Sequence, residues 1–199
     1  MTKGRGPRIY DASAHVLHAS AWRETSLIIQ AFTRDHGRLA LVAKGAKRPY
    51  SALRPVLVCF QPLWLSWSGS AEVRTLTRAE SGPVRLLDGR ALMSAWYLNE
   101  LILRLLPRDD AYPLVYDAYA GALDALAQPL APAAAHPAAL RRFEWVLLEQ
   151  AGYGVEGPMP DFTDSRAAAM VRRQLRERLE PLLEAPLRTR RVLLELQHY

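Results

Sequence analysis

The chain changes its hydrophobic period once, near residues 82–88, and that change limits the folds open to it. Before it, apolar residues alternate with period two; after it, they recur at helical spacing. Leu27, Ile29 and Ala31 alternate with Ile28, Gln30 and Phe32, with enough β-branching to favour sheet over helix. Residues 33–37 supply a turn in which Gly37 is free to take a positive φ, and residues 38–43 return as the partner strand. Residues 12–19 predict an earlier strand. Residues 63–67 and 72–79 predict a hairpin around Ser68-Gly69-Ser70, with Leu63, Leu65 and Trp67 on one face and Trp64 on the other. About five short antiparallel strands in the first eighty-odd residues close most economically into a small barrel. An OB-fold fits the count, and an SH3-like barrel fits nearly as well.

From Val84 onward the pattern predicts helices. Asp88 can cap a helix that runs to Leu106, where Pro107 stops it. Its apolar residues, among them Leu92, Trp96, Leu101 and Leu105, cannot share one stripe, which predicts a bundle helix touched from several sides. Glu100 and Arg104 stand four apart and can pair. Further helices are expected over 112–127, over 138–151 ending at Gly152, over 165–184 with Pro181 near its end, and from Thr189 to about Gln197. The fold expected is α+β: a five-stranded barrel domain at 1–83, then an α-helical bundle at 84–199, with a Pro/Ala linker at 128–137.

The longest apolar stretch, residues 91–106, is too short for a membrane span and contains Asn99, Glu100 and Arg104. The first residues carry charge without an apolar core, so no secretory signal is expected and a cytoplasmic protein is the default. A single cysteine, Cys59, excludes an internal disulfide framework and a multi-cysteine zinc site. His15 and His18 stand three apart on a strand and so face opposite sides; neither a metal nor a cofactor is expected. No H-E-x-x-H, G-x-S-x-G, P-loop or dinucleotide fingerprint occurs, and the carboxylates Asp109, Asp110, Asp161 and Asp164 fall in loops. The chain is therefore not expected to be an enzyme.

Charge points instead to a polyanion. The net formal charge is +6, with fourteen Lys and Arg against six Asp and Glu in residues 1–90, and four against eight in 91–160. The stretch 44–55 has two prolines, no apolar periodicity, and Lys44, Lys47, Arg48 and Arg54 with no anion. With Arg23 and Arg38 it forms a candidate phosphate-contacting edge, near Trp22, Tyr50, Phe60, Trp64 and Trp67. Arg141 and Arg142 form a second candidate. Placed in a first helical turn, that pair would oppose the helix dipole, which hints at a binding use. Arg188, Arg190 and Arg191, with Thr189 as N-cap, form a third.

Colinear segments across most of the chain resemble the RecO family of bacterial recombination mediators. They are Glu24-Thr25-Ser26-Leu27, Phe32-Thr33, Gly37-Arg38 and Leu41-Val42-Ala43-Lys44-Gly45-Ala46. After them come Phe60-Gln61-Pro62-Leu63, Leu76-Thr77-Arg78-Ala79-Glu80 and Tyr97-Leu98-Asn99-Glu100-Leu101. Ala139-Leu140-Arg141-Arg142-Phe143-Glu144, Gly152-Tyr153-Gly154, and Pro186-Leu187-Arg188 with Arg190 complete the series. The resemblance implies an OB-fold rather than an SH3-like barrel. It also implies binding of single- and double-stranded DNA, annealing of complementary strands, and loading of the RecA recombinase with the partner RecR. In the family the Leu-Arg-Arg-Phe segment helps to form a pocket for the acidic, Phe-ended tail of single-stranded-DNA-binding protein, which would fall to Arg141 and its neighbour Arg142. One departure stands out: the long insertion usual after Gly-Tyr-Gly, in some members zinc-binding, is replaced by about ten residues at 155–164. That puts any RecR or DNA contact made by the insertion in doubt. Two other classes stay open, a protein-interaction adaptor with the barrel as scaffold and an RNA-binding OB protein.

Overall fold

A computed structural model describes residues 6–189 and 192 of the chain. Its backbone separates into two compact units. One runs to Val84 and takes in Pro107–Pro113; the other comprises Arg85–Leu106 and the residues from Leu114 onward.

The first unit is a closed five-stranded barrel: β1 (Arg8–Trp22), β2 (Ser26–Thr33), β3 (Gly37–Ala43), β4 (Leu63–Ser68) and β5 (Val73–Ser81). The strands close in the order β1-β2-β3-β5-β4, with β3 and β5 parallel and every other pair antiparallel. This is OB-fold topology, as the resemblance implied. β1 is much longer than the eight residues expected, because it pairs with β4 through its first half and with β2 through its second. Its register shifts between Ile9 and Ala12 and again between Val16 and His18, irregularities that let one strand serve both edges. The interior is filled by the alternate residues that the pattern predicts: Val16, Ile29, Ala31, Leu39, Leu41, Leu63, Leu65 and Trp67 are all buried. Trp64 faces outward and is 41% exposed.

The segment between β3 and β4 has no strand or helix. It presses Leu53, Val56, Leu57 and Cys59 against the barrel core. Burial pushes the Cys59 thiol up to about 11, so it packs as a small neutral hydrophobe.

The second unit holds α1 (Gly89–Leu105), α2 (Pro113–Leu126), α3 (Ala135–Gln150) and α4 (Ser165–Leu179), then a 3-10 turn at Glu180–Leu182. Asp88 caps α1 by accepting from the Ala91 N–H, as expected. Leu92 is exposed, however, so α1 is not apolar on all sides in use. Tyr116, Tyr119, Leu123 and Leu126 form the buried stripe of α2, and the Tyr119 hydroxyl donates to Asn99 Oδ1 at 2.5 Å inside the core. α3 closes in a Schellman motif, with the Gly152 N–H bonded to Glu149 O, the Tyr153 N–H to Leu148 O, and Gly152 at φ +84°. α3 begins three residues earlier than the pattern suggested, because the end of the Pro/Ala segment tolerates helix. α4 ends earlier than expected: Pro181 has no N–H to continue the α-helical ladder.

Gly37 shows how the barrel is tied to residues 107–113. It lies at φ +67°, and a Cβ there would stand 1.9 Å from the carbonyl oxygen of Asp110. Gly45 has a similar φ of +72° but only the Arg48 side chain nearby, at 3.5 Å or more. In chemical denaturation, Gly45→Ala should cost about 1 kcal/mol, the strain of a left-handed backbone alone, and Gly37→Ala at least about twice that. Equal losses would mean that the 107–113 segment yields freely.

Candidate nucleic-acid interface

The basic loop leaves β3 at the barrel end where β1 turns into β2. The Lys47 N–H donates to Thr25 O at 2.9 Å, and Lys47 Nζ reaches Arg23 O at 3.5 Å. The Arg48 N–H donates to Gly45 O at 3.0 Å, folding the Arg48 side chain back over Gly45. These bonds gather Arg23, Lys44, Lys47 and Arg48 at one end of the barrel, all exposed. Charges held close together in water repel only modestly, and the surface they share favours a polyanion. Arg54 is exposed farther along the same loop, where Leu53 and Leu57 pin the backbone to the core.

Arg38 does not join them. It is the second residue of β3, so the length of the strand separates it from Lys44 by roughly 20 Å. It is half-buried beside the 107–113 segment, where Asp109 N–H donates to Arg38 O at 2.9 Å. Burial and the neighbouring Arg108 lower its pKa. Nearness in sequence does not bring Arg38 to the loop cations, because the two ends of one strand lie at opposite ends of the barrel.

The aromatic residues sort sharply. Trp22 is 45% exposed and carries the Arg23 guanidinium 5.9 Å from its ring centroid, and Tyr50 is fully exposed. Phe60 and Trp67 are core residues. Trp22 and Tyr50 are therefore the aromatic residues near the cations with a ring face available to a base.

Arg141 and Arg142 lie in the second turn of α3, not the first, so the helix-dipole argument for them does not apply. Arg142 is exposed. Arg141 Nη2 pairs with Glu144 at 2.7 Å, and the Tyr97 hydroxyl donates to the same carboxylate at 2.6 Å. Glu144 is completely buried, and its second oxygen has no hydrogen-bond partner. Burial raises its pKa; Arg141, the Tyr97 hydroxyl and Arg172 of α4 oppose that rise. Phe143 and Leu147, the apolar residues that follow Arg141 on α3, are fully buried, and Val146 is half-buried. Nothing in the sequence marked Glu144 as buried, since a Glu in a charged helical segment is ordinarily solvated.

At the other end of the described chain, Glu100 pairs with Arg104 at 2.6 Å, as the spacing predicted. It also accepts from the Arg188 N–H, the Thr189 N–H and the Thr189 hydroxyl at 2.8–3.0 Å. Thr189 is thus not an N-cap; its hydroxyl donates to Glu100, whose carboxylate takes the free N–H groups instead. Burial alone would raise the pKa of Glu100, but these hydrogen bonds and Arg104 hold it below the usual range. Arg190 and Arg191 lie outside the described residues. Among the described residues no cluster of three His, Cys, Asp or Glu could hold a metal ion, and no helix is long and apolar enough to cross a membrane.

The described residues thus form an OB barrel with cations collected at one end, and a helical unit. Family comparison bears on both. Residues 8–82 match the N-terminal model of recombination protein O and residues 86–157 its C-terminal model. A relative from Azoarcus sp. (strain BH72), named DNA repair protein RecO, is 56% identical over 150 residues, 75% of this chain and 60% of the relative. Proteins of the same name from Aromatoleum aromaticum and Cupriavidus pinatubonensis are 55% and 54% identical over 74% of this chain, and 60% and 50% of their own lengths. The chain belongs to the RecO family, and it spans about 60% of the length of the first two relatives.

The buried pair gives a testable consequence. Removing Arg141 leaves the Glu144 carboxylate without its main cation. Arg141→Ala should therefore destabilise the fold by about 2–4 kcal/mol, toward the lower part of the range for a broken buried pair because Arg141 keeps some exposure. The loss should depend on pH. Glu144's folded-state pKa lies above its unfolded value and rises further without Arg141, so the penalty should grow as pH rises above the ordinary glutamate range and shrink on acidification. Urea melts of both proteins across that range check this; a pH-independent loss would show that the ion pair contributes little.

Proposed function

We propose that this chain is a recombination mediator in DNA repair that works by binding and positioning DNA rather than by catalysis. The observation that carries this reading is the gathering of Arg23, Lys44, Lys47 and Arg48 at one end of an OB barrel in a chain of the RecO family. Such a surface holds phosphates without reading sequence, so single- and double-stranded DNA are both expected ligands. Trp22 and Tyr50 add sequence-tolerant stacking for single strands. Two complementary strands held on a cationic surface with their base edges uncovered can anneal.

Family resemblance extends the reading to the acidic tail of single-stranded-DNA-binding protein, docked at Arg141 and Arg142, and to cooperation with RecR in loading RecA. Support for it is electrostatic: Arg141 and Arg172 both act on the single buried carboxylate of Glu144, and Arg142 is exposed beside Arg141 in sequence, so cations outnumber the carboxylate they serve. The apolar half of that pocket would have to come from residues other than Phe143 and Leu147.

Two measurements test this. Replacing Lys44, Lys47 and Arg48 together with Ala should flatten the slope of log affinity for DNA against log salt by roughly two to three units. An unchanged slope in the folded variant would place DNA elsewhere. For the tail, Arg141→Ala should cost about 1.5–3 kcal/mol of binding to an acidic, Phe-ended peptide, the range for hydrogen bonds to charged groups. That comparison belongs on a Glu144→Gln background, where no carboxylate is left without its cation. Intact peptide binding in isothermal titration would move the docking site off α3.

A further inference from the structure

We propose that a cavity at the opposite end of the barrel receives an amino-bearing nucleobase (adenine, cytosine or guanine) of single-stranded nucleic acid. The inference rests on the nucleic-acid reading above and assigns it a second, chemically different contact. The cavity has a volume of about 290 Å³ and opens between the β2–β3 turn, the β4–β5 turn, the start of β1 and the 107–113 segment. Asp35, His36, Trp67, Ser70, Arg74 and Asp109 are among the residues that line it.

Its walls are fixed from several directions. Thr33 Oγ1 accepts from the His36 N–H at 3.1 Å and donates to Gly37 O at 2.9 Å, which sets the first turn. The Gly69 N–H donates to Pro7 O at 3.1 Å, joining the second turn to the start of β1. Arg74 pairs with Asp109 at 2.7 Å, and Arg108 pairs with Glu72. Asp109 is held at φ +59°, a costly conformation for a residue with a side chain, and one that persists only where surrounding bonds impose it. A cavity held open by so many separate bonds is preorganised for a ligand.

Composition identifies the ligand class. Two carboxylates and one guanidinium line the space, and together these groups carry a net negative charge, which disfavours phosphate. His36 stands edge-on to the buried Trp67 ring at 5.3 Å and 89°, which fixes the imidazole plane at the mouth. Histidine is one of the rings on which unstacked bases are held. Asp35 and Asp109 are acceptors, and each carboxylate retains acceptor capacity beyond its one arginine contact. Adenine, cytosine and guanine present exocyclic amino donors, whereas thymine presents none. A planar ring with an amino group satisfies both the stacking wall and the acceptors; an ammonium group alone would leave the aromatic wall unused.

The test uses the full chain, fluorescent single-stranded homopolymers of equal length, and two variants at exposed positions, Ser70→Trp to fill the cavity and Asp35→Ala to remove an acceptor. Wild type should bind oligo-dC and oligo-dA more tightly than oligo-dT. Ser70→Trp should lose about tenfold in affinity for dC and dA, the scale of one lost base stack, with the salt slope unchanged. Asp35→Ala should reduce the preference over dT. The Lys44, Lys47 and Arg48 triple variant should show the converse, a flattened slope with the base preference kept. Salt-steep binding with no base preference and no effect of Ser70→Trp would overturn the cavity assignment while leaving the mediator reading standing. Absence of DNA binding by wild type at low salt would overturn both. Unchanged DNA binding by Ser70→Trp together with lost binding of a polylysine peptide would overturn it in favour of a basic protein segment.

Discussion

Closure of the barrel is the constraint on which the rest of the first unit depends. Five strands form a closed sheet only if one strand pairs at both free edges, and β1 does so by running fifteen residues and shifting register twice. That single device decides which turns share an end. The β1–β2 turn is brought to the start of the basic loop, so Arg23 meets Lys47 although twenty-four residues separate them. The β2–β3 and β4–β5 turns are brought together at the other end, so His36 meets Trp67. Neither grouping follows from nearness in sequence. Both follow from a sheet with no edge left over.

Period-two alternation made the barrel legible wherever one face of a strand is buried and the other is not, although β1 and β2 also hold runs of consecutive buried residues. The alternation of Leu63, Leu65 and Trp67 against Trp64 held to the residue. Capping chemistry was equally legible: Asp88 and Gly152 bear local signals that tertiary packing had no reason to override. What escaped the sequence was everything set by partners distant along the chain. Arg38 looked like part of the basic loop and stands at the far end of its strand. Arg141, expected as a tail-binding cation in a first helical turn, lies in the second turn and is tied to Glu144, a carboxylate buried by contacts the local segment does not reveal. The 107–113 segment looked like an ordinary inter-helix loop, yet it belongs to the barrel unit.

Glu144 shows why the helical unit carries its charge as it does. An ionised carboxylate sealed in a helical core is unfavourable unless cations and donors surround it, and a hydrophobic residue of similar size would often be at least as stable there. Arg141, Tyr97 and Arg172 supply the compensation from three helices, α3, α1 and α4. The arrangement therefore fixes the position of Arg141 as much as it neutralises Glu144. A guanidinium anchored by one edge keeps its other N–H groups directed, so an arriving carboxylate would meet an oriented donor rather than a mobile one.

On the proposed reading, the two barrel ends would divide recognition between forces that respond to different conditions. Phosphate contact at the cationic end depends on released counterions and weakens steeply with salt. Stacking and amino-group recognition at the other end are short-range and nearly salt-independent. An anionic polymer would be drawn to the first end from a distance and repelled at the second unless a base, not a phosphate, entered. If a base is bound there, the carboxylates of the lining around Arg74 and Asp109 would act as a filter on orientation, because a strand would occupy that end only with a base turned inward. Double-stranded DNA has no unstacked base to offer, so this division by itself would set single strands apart from duplex on a barrel whose cations cannot tell them apart.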